Sequence, residues 1–223
     1  MIFFPYRDDN PTGSFPLVNW LFILANIWVF FAYQLPLGPA EQKSYFANFG
    51  FIPAAFYGQF AQDNLGAVAW EWGSVVTSMF SHGGFLHLFG NMLFLYLYGD
   101  NLEDAMGKVR YFIFYLLCGF FAAIAQSLID PTSEIPMVGA SGAIFGILGA
   151  CLIYFPNTTL FLIFPPIPIK LKYAVTFYGI YELINGIQNN AGDNVAHFAH
   201  LGGLVAGILI VKYWNKTRRD RFY

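Results

Sequence analysis

Charged side chains are scarce in this sequence of 223 residues, because Asp, Glu, Lys and Arg together make up only 11% of it. Soluble domains contain about 25% of these residues. Hydrophobic residues make up 57% of the chain, above the roughly 45–50% of an ordinary globular protein. A soluble fold of this length would leave large apolar patches in water. The composition therefore excludes a soluble protein and predicts an integral membrane protein that is surrounded by the lipid bilayer.

A basic excess is also absent, since 11 Lys and Arg face 13 Asp and Glu and the net charge is −2. A chain without a basic surface cannot neutralise phosphates, so nucleic acid is excluded as a partner.

Cysteine is rare in this sequence. The two cysteines, Cys118 and Cys151, lie in apolar stretches without the spacing of a disulfide framework or a metal site. We expect both to be buried thiols.

Long uncharged runs predict the segments that cross the membrane. A hydrocarbon core about 30 Å thick requires roughly 20 apolar helical residues. The first segment is not a signal peptide, because Asp8 and Asp9 precede it beside a single Arg7 and no A-x-A cleavage site follows. The sequence therefore predicts an all-α, polytopic bundle of six transmembrane helices. They are Pro16–Leu35, Gly84–Asn101, Tyr111–Ile129, Ser141–Phe155, Lys170–Ile187 and Asn194–Tyr213.

Lys and Arg predict the orientation of these helices. With the N-terminus in the cytoplasm, ten of the 11 basic residues fall in cytoplasmic segments and only Lys43 falls outside. Both termini are therefore expected in the cytoplasm, with an N-terminal segment over 1–15, a membrane domain over 16–213 and a basic tail over 214–223. The aromatic stretch from Pro36 to Phe80 is expected to be a long loop that lies partly in the membrane interface.

A serine between glycines opens the predicted fourth helix, in the stretch Gly139-Ala140-Ser141-Gly142. One interpretation of Ser141 is a helix cap. The glycines favour a functional interpretation, because they let a backbone or a substrate approach closely. The helix ends near Pro156 and spans only about 22 Å at 1.5 Å per residue, which places Ser141 below the outer membrane surface. Irregular backbone at that depth is tolerated only inside protein or beside a water-filled cavity.

His200 is expected at the same depth as Ser141, about seven residues past the external loop at Asp193. The alternative is that His200 only hydrogen-bonds a neighbouring backbone. Small residues at helical spacing allow two helices to approach closely, and close approach is what a serine and a histidine need to share a hydrogen bond. The small residues are Gly142, Gly146 and Gly149 in the fourth segment and Ala199, Gly203 and Gly207 in the sixth.

Further polar residues lie near the start of the second segment. His87 and Asn91 are four residues apart and share one helix face. Both side chains can donate a hydrogen bond to an oxyanion. His82 precedes this helix and is expected to be a structural hydrogen-bonder.

Glu182 is a carboxylate inside the fifth segment. It is expected to face a hydrated cavity or to bond a neighbouring residue. The alternatives are that it completes a catalytic triad or lines a proton path. The histidines have no evident set of carboxylates or thiolates beside them, so no metal is predicted. They are His82, His87, His197 and His200.

Together these motifs resemble those of the rhomboid family of intramembrane serine proteases. The motifs occur here in the family's order, as H-G-G-x-x-H-x-x-x-N at 82–91, G-x-S-G at 139–142 and A-H-x-G-G at 199–203. The stretch from Gly99 to Gly107, followed by Arg110 and Tyr111, is similar to the family's turn between the second and third helices. The resemblance covers residues 80–213, and the six predicted helices extend it to nearly the whole chain.

The resemblance implies an endopeptidase that hydrolyses peptide bonds in or beside the transmembrane segments of other membrane proteins, without a cofactor, in a prokaryotic cell membrane. Ser141 would be the nucleophile and His200 the general base of a dyad that works without a carboxylate. The main-chain N–H of Ser141 and the side chains of His87 and Asn91 would form the oxyanion hole. The implied supporting residues are Phe145, whose ring would pack on the imidazole, Gly139, Gly142 and His82.

One departure from the family pattern lies in the first loop. Rhomboids often have a Trp-Arg pair a few residues before a Thr-Ser-x-Phe stretch. In this sequence the Thr-Ser-x-Phe stretch is at 77–80. The positions of the Trp-Arg pair are occupied by Gly73 and Ser74, and Trp72 lies one place earlier. The anchoring of this loop is therefore expected to differ.

Two other functions fit the sequence less well. A catalytically silent rhomboid-like chaperone would lack the serine or the histidine, and a transporter would show inverted repeats.

Overall fold

The structure is a computed structural model that describes residues 5–62, 65–163, 166–188, 193 and 195–219. The helices in this part of the chain are α1 (Leu17–Val29), α2 (Pro39–Phe49), α3 (Pro53–Ala61), α4 (Leu65–Ser78), α5 (Phe85–Phe94), α6 (Asp100–Met106), α7 (Lys108–Ile129), α8 (Ser141–Tyr154), α9 (Leu171–Gln188) and α10 (His197–Arg219). The strands are β1 (Pro5–Asp8), β2 (Thr159–Leu162) and β3 (Pro168–Lys170). Two π-helical turns, Phe30–Gln34 and Leu95–Gly99, continue α1 and α5.

A helix lies at each of the six predicted segments, although several ends differ. The second segment is one continuous helical path, because α5, its π-helical turn and α6 follow one another without a break. In the described residues, two helical runs have the length and apolar composition to cross a membrane, Leu17–Gln34 and Lys108–Ile129. Helix α8 is apolar but shorter, as predicted from the proline that follows it.

The stretch from Pro36 to Phe80 was predicted as a loop, and this was wrong because it contains α2, α3 and α4. The prolines that suggested a loop, Pro39 and Pro53, are the first residues of α2 and α3. A proline in the first turn removes no hydrogen bond from a helix. Glu41 adds to the start of α2, since its carboxylate accepts the Gly38 N–H at 2.8 Å.

A small antiparallel sheet corrects the prediction of an all-α fold, although the chain remains mostly helical. Strand β2 pairs with β1 on one side and β3 on the other. The sheet joins the N-terminal segment to the connection between α8 and α9. Asp9 strengthens this junction, because its carboxylate accepts the Thr159 N–H at 2.7 Å. Hydrogen bonds from the side chain and then the backbone of Thr159 lower the pKa of the Asp9 carboxyl below its ordinary value.

Helices α7, α8 and α10 pack closely through small residues, which confirms the predicted approach of the fourth and sixth segments. A Cβ atom at Gly203 would overlap the carbonyl oxygen of Gly142, and one at Gly207 would overlap that of Gly146. On the other side of α8, a Cβ at Gly146 would overlap the side chain of Cys118 on α7. Both cysteines are buried thiols, as expected. This packing brings the start of α8 beside the start of α10.

We expect Gly203→Ala to lower the melting temperature of the protein. The added methyl group meets a backbone carbonyl that cannot rotate away, and overpacking of this kind costs typically about 1–3 kcal/mol. The matched control is Gly73→Ala in α4, where a Cβ meets no atom within 4 Å and alanine favours the helix. Thermal unfolding in detergent, followed by circular dichroism, measures both. Equal melting temperatures for the two variants would contradict the close packing of α8 and α10.

Candidate active site

Ser141 and His200 contact each other where α8 and α10 meet. The Ser141 Oγ atom lies 2.7 Å from Nε2 of His200. Ser141 is the first residue of α8, and His200 lies in the first turn of α10. A hydroxyl that donates to Nε2 requires this nitrogen to be unprotonated, so the hydrogen of the neutral ring is assigned to Nδ1. An imidazole in this position can remove the proton of the serine.

The Phe145 ring lies flat on the His200 imidazole. The two ring centroids are 4.5 Å apart and the planes differ by 2°. Phe145 follows Ser141 by one turn of α8, so the same helix holds the hydroxyl and the face against which the imidazole rests. The stacking restricts rotation of the ring and keeps Nε2 directed at the hydroxyl.

Gln126 on α7 holds the start of α10, and sequence reasoning missed it. Its Oε1 atom accepts the N–H groups of Phe198 at 3.1 Å and Ala199 at 3.2 Å. The first turn of a helix leaves its donors without intrahelical acceptors, and the Ala199 N–H also donates to the Ala196 carbonyl at 3.0 Å. A polar side chain near the end of the third apolar segment was the available signal. Gln126 thereby fixes the backbone immediately before His200.

His87 and Asn91 both lie beside Gly139, two residues before Ser141. Gly139 has a φ of 124°, and a Cβ there would lie 2.7 Å from Cε1 and Nε2 of His87 and 3.6 Å from Nδ2 of Asn91. Glycine is therefore required for its backbone conformation and for space. The Gly83 N–H donates to Nδ1 of His87 at 3.4 Å. This assigns the ring hydrogen to Nε2, on the Gly139 side.

The Asn91 amide is a buried donor without a partner. The residue is 7% exposed, and its Nδ2 atom has no hydrogen bond to any residue that the structure describes. Buried donors are nearly always paired, so an unpaired one needs an explanation. The amide beside Gly139 is available to an oxygen atom that arrives with a substrate.

Backbone hydrogen bonds from the first helices hold the segment that leads into α8. Gly139 donates to the Ser78 carbonyl at 2.9 Å. Phe51 and Met137 exchange two hydrogen bonds, at 2.8 and 3.1 Å. Helix α4 is in turn docked by Trp72, whose ring lies 4.7 Å from the ring of Phe56 and 5.0 Å from that of Phe120. Trp72 is thus the aromatic anchor of this region, one place before Gly73.

His82, which was expected to be a structural hydrogen-bonder, forms a hydrogen bond through its backbone. The His82 N–H donates to Oε1 of Gln34 at 3.1 Å. Neither ring nitrogen forms an aligned hydrogen bond within the described residues, although the Phe80 backbone acts on the ring as a hydrogen-bond partner. The ring packs edge-on against His87, with centroids 5.1 Å apart. His82 therefore supports the His87 ring by packing.

Glu182 lies behind His200, which the sequence did not predict. Its Oε2 atom is 3.0 Å from Nδ1 of His200 and 2.6 Å from Nδ1 of His197. The expectation of a bonded neighbour is confirmed. Glu182 is buried, with 7% of its surface exposed. A carboxylate oxygen therefore lies beside two of the histidines, contrary to the expectation from the sequence.

Asp193 completes this cluster from the loop before α10. Its Oδ2 atom lies 3.0 Å from Nε2 of His197. The hydrogen bonds from His197 and from the Val195 N–H lower the pKa of the Asp193 carboxyl below its ordinary value. Among the residues that the structure describes, no group of three or more His, Cys, Asp or Glu side chains is arranged to hold a metal ion.

These groups together are suited to acyl transfer. A hydroxyl lies on an imidazole that can take its proton, and two side-chain donors lie beside the backbone that leads to that hydroxyl. Acyl transfer requires a nucleophile, a base and donors for the oxyanion that forms on the carbonyl.

Comparison with known proteins adds independent information. A sequence model of the Rhomboid domain matches residues 69–216. Rhomboid protease GluP of Bacillus subtilis (strain 168) is 31% identical over 193 residues, which are 86% of this chain and 34% of that protein. Putative rhomboid protease YdcA of the same strain is 32% identical over 162 residues, which are 72% of this chain and 75% of that protein. RHOMBOID-like protein 1 of Arabidopsis thaliana is 33% identical over 157 residues, which are 66% of this chain and 38% of that protein. The chain thus spans about a third of the lengths of GluP and RHOMBOID-like protein 1 and three quarters of YdcA.

We expect Asn91→Ala to slow the reaction of Ser141 with a fluorophosphonate probe by roughly 10²-fold, because the loss of one oxyanion donor typically costs about 10²–10³. The remaining donors keep the reaction measurable. The control is Asn48→Ala, an exposed asparagine that bonds only the Ser44 carbonyl among the described residues. Gel fluorescence over time gives both rates. An unchanged rate for Asn91→Ala would remove this side chain from the oxyanion site.

Proposed function

The chain belongs to the rhomboid family, and on that premise we propose that it is an intramembrane serine endopeptidase that cleaves other membrane proteins in or near their transmembrane segments. The observation that carries the proposal is the 2.7 Å contact between Ser141 Oγ and His200 Nε2. The family match includes both residues, because it covers 69–216. A substrate that is itself held in the bilayer fits a chain with 57% hydrophobic residues and two helical runs that are able to cross a membrane.

In the proposed reaction Ser141 attacks the carbonyl carbon of the peptide bond, and His200 Nε2 takes the hydroxyl proton. The tetrahedral intermediate collapses as the C–N bond breaks, and the same proton passes from His200 to the leaving amine. Water then attacks the acyl ester and gives a proton to His200. When the carboxylic acid product leaves, His200 returns this proton to the Ser141 oxygen. Each step balances without a metal or a cofactor.

The negative charge on the carbonyl oxygen is stabilised by three proposed donors. They are the main-chain N–H of Ser141, Nε2–H of His87 and Nδ2–H of Asn91. The position of both side chains beside Gly139 supports this assignment, as does the unpaired amide of Asn91. The N–H of Ser141 is at the first turn of α8, where the helix leaves its donors free for an anionic oxygen.

We propose six transmembrane helices with both termini in the cytoplasm, a membrane domain over 16–213 and a basic tail over 214–223. The distribution of Lys and Arg supports this orientation. Residues 1–4 and 220–223 lie outside the described part of the chain. The proposed location is a prokaryotic cell membrane, which the relatives in Bacillus subtilis support. A plant protein matches as well.

Lateral access of the substrate between α5 and α9 is the proposed route to Ser141. Helix α9 carries bulky, half-exposed side chains, with Phe177 43% and Tyr181 45% exposed. On α5, Leu86 is 82% exposed. The rings of Phe94 and Tyr178 join the two helices, with centroids 5.8 Å apart. The proposed lid, Gln188–Val195, lies mostly outside the described residues, as does Pro165 of the proline break before α9.

We expect Ser141→Ala and His200→Ala each to abolish cleavage of a membrane substrate while the protein remains folded, because the two side chains act as one unit. Cleavage of a transmembrane reporter in liposomes, scored on gels, measures activity, and thermal unfolding reports the fold. His82→Ala provides a histidine control outside the dyad and should retain measurable cleavage. Near-wild-type cleavage by either dyad variant would refute the dyad.

We expect a cross-link between cysteines placed at Phe94→Cys and Tyr178→Cys to suppress cleavage of a transmembrane substrate. A short bis-thiosulfonate reagent fixes α5 to α9, and a reducing agent restores the gap. A short soluble peptide is the matched control, since it reaches Ser141 from water and should be cleaved in both states. The native cysteines are buried and do not compete for the reagent. Equal cleavage of the transmembrane substrate before and after cross-linking would exclude access between these helices.

A further inference from the structure

We propose that Glu182 is a positioning residue for His200, so that the dyad works with a carboxylate behind its base. This inference rests on the proposed function of Ser141 and His200. It goes beyond that function by adding three residues, Glu182, His197 and Asp193, which form a chain of charge contacts from the base to the rim of the site.

The edge of the His200 imidazole that faces away from Ser141 lies beside Glu182. Because Nε2 accepts the serine hydroxyl, Nδ1 carries the ring hydrogen. The Nδ1 atom is buried and has no aligned hydrogen bond within the described residues, yet Oε2 of Glu182 lies 3.0 Å away. Catalytic hydrogen bonds are often poorly aligned without substrate and tighten in the complex. A small rotation of either side chain would align the contact.

His197 and Asp193 hold Glu182 in place. Its Oε2 atom lies 2.6 Å from Nδ1 of His197, and Nε2 of His197 lies 3.0 Å from Oδ2 of Asp193. A carboxylate can only accept hydrogen bonds, so both nitrogens of His197 carry hydrogen and the ring is an imidazolium. His197 therefore ties the carboxylate of α9 to α10 one turn before His200. The carboxylate is thus held in place by a group other than the base that it orients.

Titratable groups surround the His200 imidazole from α9, α10, the loop before α10 and α5. Glu182 faces His200 from α9, while His197 and Asp193 lie behind it on α10 and the preceding loop. His87 lies on α5. Its imidazole ring is neutral when Nδ1 accepts the Gly83 N–H. Glu182, His197 and Asp193 together carry one net negative charge. When His200 takes the serine proton it becomes a cation, and a net negative neighbour in a buried site stabilises that cation.

Glu182 therefore orients and stabilises the base without taking the proton. The proton stays on His200 until it passes to the leaving amine, as in triads where the carboxylate holds the imidazole tautomer and stabilises the imidazolium. The Phe145 ring covers the face of the same imidazole. With Ser141 at one edge, Glu182 at the other and Phe145 on the face, the imidazole is constrained on three sides.

The test is Glu182→Gln in the full chain, compared with the wild type and with Glu134→Gln. Glutamine keeps the shape of the side chain, but its one oxygen acceptor must serve two histidine donors and the charge is lost. Glu134 is an exposed carboxylate in the connection between α7 and α8, so its variant controls for loss of one charge. The readouts are kcat and KM for the transmembrane reporter, the rate of fluorophosphonate labelling, and the melting temperature.

We expect E182Q to lower kcat and the labelling rate roughly 10- to 100-fold with KM unchanged, a part of the 10²–10⁴ that a positioned base supplies. Glu182→Asp should recover part of the loss, because it restores the charge. E134Q should match the wild type. A lower melting temperature with unchanged kcat in E182Q would overturn the proposal and leave Glu182 as a link between α9 and α10.

Two further outcomes are decisive. If E182Q does not fold, folded E182D decides the question, since its shorter side chain should slow labelling if Glu182 positions His200, and an unchanged rate would overturn the proposal. If wild-type protein is neither labelled nor able to cleave the reporter, the proposed function itself is overturned, and this inference with it. Wild-type labelling with equal labelling of E182Q overturns only the role of Glu182.

Discussion

The close approach of α8 and α10 is the constraint on which the site depends. A side chain at Gly203 or Gly207 would overlap a carbonyl oxygen of α8, so the two backbones meet without side chains between them. A bilayer provides no hydrophobic force between helices, and close van der Waals packing of small residues takes its place. Ser141 and His200 project from the same end of this contact, and their separation of 2.7 Å follows from it.

Helix α7 extends the same packing to a third helix. A Cβ at Gly142 would lie 2.6 Å from Cβ of Ala122, and one at Gly202 would overlap Cβ of Ala125. Gln126, one residue after Ala125, then reaches the N–H groups at the start of α10. The small residues of α7 therefore set the distance, and Gln126 sets the rotation of the turn that carries His200.

The buried asparagines differ in whether their side-chain Nδ2 atom has a hydrogen-bond partner. Nδ2 of Asn19 donates to the Leu95 carbonyl and Nδ2 of Asn26 donates to the Phe22 carbonyl. Nδ2 of Asn101 donates to the carboxylate of Asp8 and to its own helix. The Asn91 amide alone among these four has no partner in the described residues. An unpaired donor weakens a fold, and its position beside Gly139 accounts for it if a substrate oxygen fills the gap.

The sequence by itself determined the helical segments and the pairing of Ser141 with His200, because apolar runs and small residues at helical spacing are local patterns. It misjudged α2 to α4, since Pro39 and Pro53 are equally compatible with a loop and with the first turn of a helix. It missed the sheet, whose strands of three and four residues are too short to show a period. It also left Glu182 without a place. Only the tertiary structure decided that α9 and α10 bring Glu182 to Nδ1 of His200. Whether two side chains on different helices point toward each other depends on how the helices are rotated about their axes. No spacing of residues along the chain encodes that rotation.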